Sequence, residues 1–147
     1  MFVYYLFVFF SFTPYQYTYL NKLIGNLSYA DQKFENDYWA VSIKELISKI
    51  PMHTNLISDS VKIKIAFCGV PHNIGKRELN KLKNLKYEQK DLYDKDVEYV
   101  IMTNRTVEAK SDITRTDMKT CFEKFDGENL VSVKRNGLIL STIRKGF

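Results

Sequence analysis

Across 147 residues the chain carries 22 Lys and Arg against 17 Asp and Glu, a formal charge of +5, with 45% hydrophobic and 27% charged residues. This length has room for one domain and excludes a multi-domain enzyme within it. Six Gly and three Pro exclude a collagen-like or disordered composition. The charge is unevenly spread. Residues 1–30 hold one charged side chain, Lys22, so residues 31–147 hold 21 Lys and Arg against 17 Asp and Glu, while the first 20 residues hold 10 of the 21 aromatic rings.

Met1 to Phe12 (MFVYYLFVFFSF) is uncharged and almost wholly apolar, with rings on every side at any period. As a helix it reaches about 18 Å, against roughly 30 Å of hydrocarbon, so it is too short to span a bilayer alone. No basic stretch precedes it and no small-residue cleavage site follows, which argues against a signal peptide. A buried core element would keep a polar face, and none is present. The run is therefore expected to be the last turns of a transmembrane helix whose beginning is missing. Residues 13–30 are expected to lie at the interface, because Tyr15, Tyr17 and Tyr19 alternate with polar residues and can hold their hydroxyls among the headgroups. Residues 31–147 are the part that water solvates.

In that part, Ser42 followed three residues later by Glu45 matches a capping box and predicts a helix starting there. Ile43, Leu46, Ile47 and Ile50 form its apolar stripe, and Pro51 ends the pattern. Val61 to Cys68 alternates and then turns continuously apolar, as a strand does on entering a covered sheet. A helix from about Ile74 to Leu85 and a second buried strand from Asp96 to Thr103 complete a βαβ unit, expected to be parallel. Leu130 to Arg135 and Leu138 to Arg144 flank Asn136 and Gly137, the strongest short hairpin signal. The expected register sets Val133 opposite Leu140 and Arg135 opposite Leu138. The fold class is α/β: a small mixed sheet with a βαβ unit and a C-terminal antiparallel hairpin, preceded by an apolar N-terminal helix.

Little of this carries recognisable chemistry. Gly69 to Arg77 sits where a phosphate loop would, but it has five residues between its glycines and an Arg after Lys76 where Walker A needs four and a Ser or Thr. Residues 76–90 carry six Lys and Arg against two Glu, an excess that reads first as a solvated face and second as a contact for anionic lipid or polyanionic sugar through Lys76, Arg77, Lys81 and Lys83. No nucleic-acid motif accompanies it, so no nucleic-acid partner is expected. Cys68 and Cys121 could pair if their strands meet, but two buried thiols are the expected state, and with His53 and His72 they offer no metal-ligand spacing. No metal or cofactor is expected. Asn26 and Asn104 match the glycosylation acceptor pattern, which occurs often by chance. Asp31, Glu35 and Asp37 assemble with no nucleophile or base, and the last two read as local caps or ion-pair partners.

Two strings carry a resemblance. PYQYTYLN, with Tyr15, Gln16, Tyr17, Tyr19 and Asn21, precedes FENDYWAVSIKE, with Glu35, Asp37, Tyr38, Trp39, Ser42, Lys44 and Glu45. In order and spacing they resemble the junction after the final transmembrane helix of bacterial family 39-like glycosyltransferases, polytopic relatives of protein O-mannosyltransferases and lipid A aminoarabinose transferases. Ala40 departs from the pattern where Gly is common, as does the stretch from Lys22 to Asn26, which lacks the usual Gly-Gly. The resemblance implies the non-catalytic C-terminal part of an enzyme that moves sugar from a polyprenyl-phosphate donor to an acceptor, partnered by membrane lipid and by the enzyme's transmembrane part. It places the chain at the bacterial inner membrane with residues 31–147 outside the cytoplasm. Donor and acceptor would be met only through the transmembrane part. It implies no catalytic residue here, and the junction residues would dock the domain or position an acceptor. The competing reading is a stand-alone peripheral module that binds anionic lipid or glycan.

Overall fold

The computed structural model describes residues 2–12, 37, 40–50, 62–105, 119–135 and 137–146. In chain order these form α1 (Phe2–Phe12), α2 (Ser42–Ser48), β1 (Ile63–Cys68), α3 (His72–Leu79), β2 (Tyr87–Gln89), β3 (Tyr99–Thr103), α4 (Cys121–Lys124), β4 (Asn129–Arg135) and β5 (Leu138–Lys145). The five strands make one mixed sheet in the order β2-β1-β3-β5-β4. β1 pairs in parallel with β2 and β3, and β5 pairs antiparallel with β3 and β4. The α/β class, the parallel pairing within the βαβ unit and the C-terminal hairpin are all present.

Alternation along β1 sorts its side chains to two faces, because successive Cβ atoms of a strand point opposite ways. Ile63, Ile65 and Phe67 join Ile43, Leu46 and Ile47 of α2, Leu79 of α3 and Val131 and Val133 of β4 in the larger core. Ala66 and Cys68 join Val100 and Met102 of β3 with Cys121 and Phe125 in a second core on the other face. A strand covered on both sides must be apolar throughout, which is why the pattern at Ala66 to Cys68 loses its alternation.

Several boundaries differ from the sequence expectation. α3 runs from His72 to Leu79 instead of Ile74 to Leu85, and the chain beyond it continues in turns in which Leu82 N–H donates to Leu79 O at 3.0 Å and Leu85 N–H to Leu82 O at 3.2 Å. Leu85 is still buried, so the apolar spacing reported burial correctly and helix length wrongly. β1 begins at Ile63 and β3 at Tyr99. The edge strand β2 was not expected: Tyr87, Glu88 and Gln89 have no apolar pattern, and only their pairing with Ile63, Lys64 and Ile65 makes them a strand. Gly75 lies within α3 against β1, where a Cβ would stand 2.4 Å from Cε1 of Phe67; glycine lets the helix approach the sheet.

The hairpin keeps Arg135 opposite Leu138, but Val133 pairs with Ser141, not Leu140. A register shift between Val133 and Lys134 makes Leu140 the extra residue. The bulge changes parity, so that Leu140 and Ile143, three residues apart, both enter the larger core.

The expectation of two thiols is corrected: Cys68 and Cys121 form a disulfide across a sequence separation of 53. Cys68 closes β1, and Cys121 opens α4, which is seated by donation of the Cys121 N–H to Arg105 O at 2.8 Å. Thr120 caps α4 with a capping box to Glu123, and Arg144 bonds the carbonyls of Phe122 (2.8 Å) and Phe125 at its far end.

In α1, Phe2, Phe7 and Phe10 are 75%, 72% and 70% exposed, and Val3, Tyr4, Tyr5, Leu6 and Phe9 are exposed as well. Among the described residues no helix is long and apolar enough to cross a membrane.

Candidate functional site

The junction string is the first place to look, and part of it is visible. Tyr15, Gln16, Tyr17, Tyr19, Asn21, Glu35, Tyr38 and Trp39 lie outside the described residues. Asp37 and Ser42 come together. The Asp37 side chain is fully buried and its carboxylate accepts the N–H of Val41 at 2.9 Å, the N–H of Ser42 at 3.0 Å and the Ser42 hydroxyl. These amides belong to the first turn of α2, whose N–H groups have no partner within the helix, and a carboxylate there also meets the positive end of the helix.

This corrects the expected capping box. Ser42 is the first residue of α2 and not its cap, and Val41, at the cap position, makes no side-chain bond. Asp37 supplies the cap from five residues upstream. Glu45, freed from that task, meets Arg135 Nη2 at 2.6 Å and Lys49 Nζ at 3.0 Å, and so ties α2 to the end of β4. Lys44 is exposed and stands apart. Ala40 has φ +53°, left-handed backbone that costs an L-residue roughly 1–2 kcal/mol and that glycine adopts freely.

Half of the expected anion contact is already paired with a carboxylate of α3. The buried carboxylate of Glu78 binds Lys81 at 2.6 Å and Arg77 at 3.1 Å. Hydrogen bonding from Lys81 holds its pKa below the usual glutamate value, burial works against this, and Arg77 adds to the lowering. Lys76 and Lys83 are exposed. Two of the four cations are thus spent on one internal carboxylate.

A second place, not singled out from sequence, lies past the carboxyl ends of β1 and β2. An open cavity of about 640 Å³ is lined by Phe67, His72, Asp91, Leu92, Tyr93 and Asp94. Phe67 comes from β1, His72 opens α3, and the other four form the turn after β2. The His72 ring stands 5.9 Å from the Phe67 ring, and its Nδ1 lies 2.6 Å from Gln89 Nε2. Gln89 Oε1 is buried and has no hydrogen-bond partner among the described residues. The Tyr93 hydroxyl accepts from Lys124 Nζ at 2.6 Å. The sequence signal that could have found this place is Asp91-Leu92-Tyr93-Asp94, an aromatic among carboxylates just beyond the basic run. Among the described residues no group of three His, Cys, Asp or Glu could hold a metal ion.

Comparison of the chain with protein-family models, with curated proteins and with solved structures found no match.

Proposed function

We propose that the chain is the C-terminal, non-catalytic extracytoplasmic portion of a membrane glycosyltransferase that draws on a polyprenyl-phosphate-linked sugar, and that it serves to dock its domain or position an acceptor. The observation that carries the membrane part is α1, where Phe2, Val3, Tyr4, Tyr5, Leu6, Phe7, Phe9 and Phe10 all stand exposed. The disulfide supports the compartment, since such bonds persist in oxidising surroundings and are rare in the cytoplasm. The family assignment rests on the junction strings. The buried Asp37 cap gives one junction residue a definite task, forming the start of the first domain helix.

The competing reading, a stand-alone peripheral module whose aromatic segment inserts at the interface while Lys76, Arg77, Lys81 and Lys83 hold anionic lipid or glycan, is weaker because Glu78 already engages two of those cations. Flotation of the full chain with phosphatidylcholine vesicles separates them. Apolar insertion is expected to keep the chain with the vesicles in 1 M salt and without anionic lipid, where screening shortens electrostatic reach to about 3 Å. Release by salt, or a need for anionic lipid, would favour the peripheral module; a chain that floats under no condition would defeat both.

A further inference from the structure

We propose that the cavity past β1 and β2 binds a hydroxyl-rich pyranose ring, as the acceptor-side sugar contact of the domain. This rests on the transferase reading for its biological sense and on the cavity for its chemistry. The cavity lies beyond the carboxyl ends of two parallel strands, β1, which supplies Phe67, and β2, whose following turn supplies residues 91–94. The cavity, about 640 Å³, is open to solvent on one side and wide enough to admit a sugar ring.

The lining suits a sugar in two respects. A pyranose presents apolar C–H faces and an equatorial rim of hydroxyls. Phe67 and Leu92 offer apolar wall, and Tyr93, 63% exposed, offers an aromatic face at the rim with its hydroxyl held by Lys124. Asp91 and Asp94 supply carboxylate oxygens that accept hydroxyl protons, bonds stronger than neutral ones. His72, engaged through Nδ1 by the Gln89 amide, adds a further polar group in a fixed place.

The lining also disfavours a class of ligand. Among the described residues the lining holds two carboxylates and no Lys or Arg. Two carboxylates in the wall disfavour a phosphate or a lipid pyrophosphate, and the cation at the rim, Lys124, is engaged by the Tyr93 hydroxyl. A neutral sugar or one bearing an amine fits, and the amine would gain from the carboxylates.

Saturation-transfer NMR on the full chain in phosphatidylcholine nanodiscs, free of glycosidic detergent, tests this with maltotriose, glucosamine and inorganic phosphate as probes. Transfer to the ring protons of maltotriose or glucosamine is expected, and none of the binding should be displaced by phosphate. Tyr93→Ala and Asp91→Asn, both at exposed positions, should weaken binding at least fivefold while Lys134→Ala, at an exposed position of β4 outside the cavity lining, leaves it unchanged. Binding of both sugars identifies a neutral ring as sufficient; binding of glucosamine alone identifies the amine as required; either supports the proposal. Binding of neither sugar, displacement by phosphate, or binding indifferent to both cavity substitutions would overturn it. Recovery of the chain in the nanodiscs is read on the same sample, so failure of sugar binding stays separate from failure of the membrane reading.

Discussion

Cys121→Ala is expected to destabilise the domain by about 4 kcal/mol, the chain-entropy value for a loop of the 53-residue separation that the disulfide closes. Both sulfurs are buried, Cys68 at 1% and Cys121 at 0% exposure, so the substitution also removes packing in the second core beside Met102 and Phe125. Alanine is the cleaner replacement because a serine would bury a hydroxyl. Set against typical stabilities of about 5–15 kcal/mol, a loss of this size removes a large share of the total. Chemical denaturation of the full chain, followed by near-ultraviolet circular dichroism, should show the midpoint falling both for C121A and for the native chain with reductant. Equal midpoints with and without the bond would mean that it does not hold the fold.

The second large effect is expected at Asp37. Its carboxylate is the acceptor for two amides and a hydroxyl at the start of α2, all inside the protein. Asp37→Ala leaves these donors without it, and the combined loss of a cap and of a buried acceptor is expected to cost about 2–4 kcal/mol. Ser42→Ala removes only the hydroxyl bond and should cost about 1 kcal/mol. The same denaturation measurement ranks them, and D37A no worse than S42A would contradict the capping role. The ranking bears on function, because Asp37 belongs to the junction string and its expected role as a local cap is what the ranking measures. A buried carboxylate with three hydrogen bonds to one helix start has a structural task.

How far this was legible depended on how local each cause is. The hairpin was legible because Asn136 and Gly137 encode it within two residues, and Gly137 does take φ +84°. The bulge inside it was written in the apolar spacing, at 138, 140 and then 143, but a strict alternation of two cannot express a change of parity. The start of α2 was placed correctly for the wrong reason: Ser42 and Glu45 satisfy a local rule, whereas the real cap comes from Asp37 across a turn with left-handed Ala40. That Ala40 occupies a position where the resembling family commonly has Gly already pointed to this turn. β2 and the disulfide were not legible, since each depends on a partner far along the chain: Tyr87 on Ile63, Cys121 on Cys68. The cavity was missed for the same reason. His72 and Asp91 are 19 positions apart and meet only because β1 and β2 pair side by side.

The central claim is that a membrane-held chain presents its disulfide-closed domain outside the cytoplasm. Adding proteinase to intact bacterial spheroplasts that express the full chain tests it most directly, with the thiol state of Cys68 and Cys121 read by alkylation after acid quenching and denaturation of a parallel, undigested aliquot. Digestion of the domain without lysis, with both cysteines resistant to alkylation until reduced, is the expected result; protection until lysis, with both cysteines free to alkylate, would contradict it.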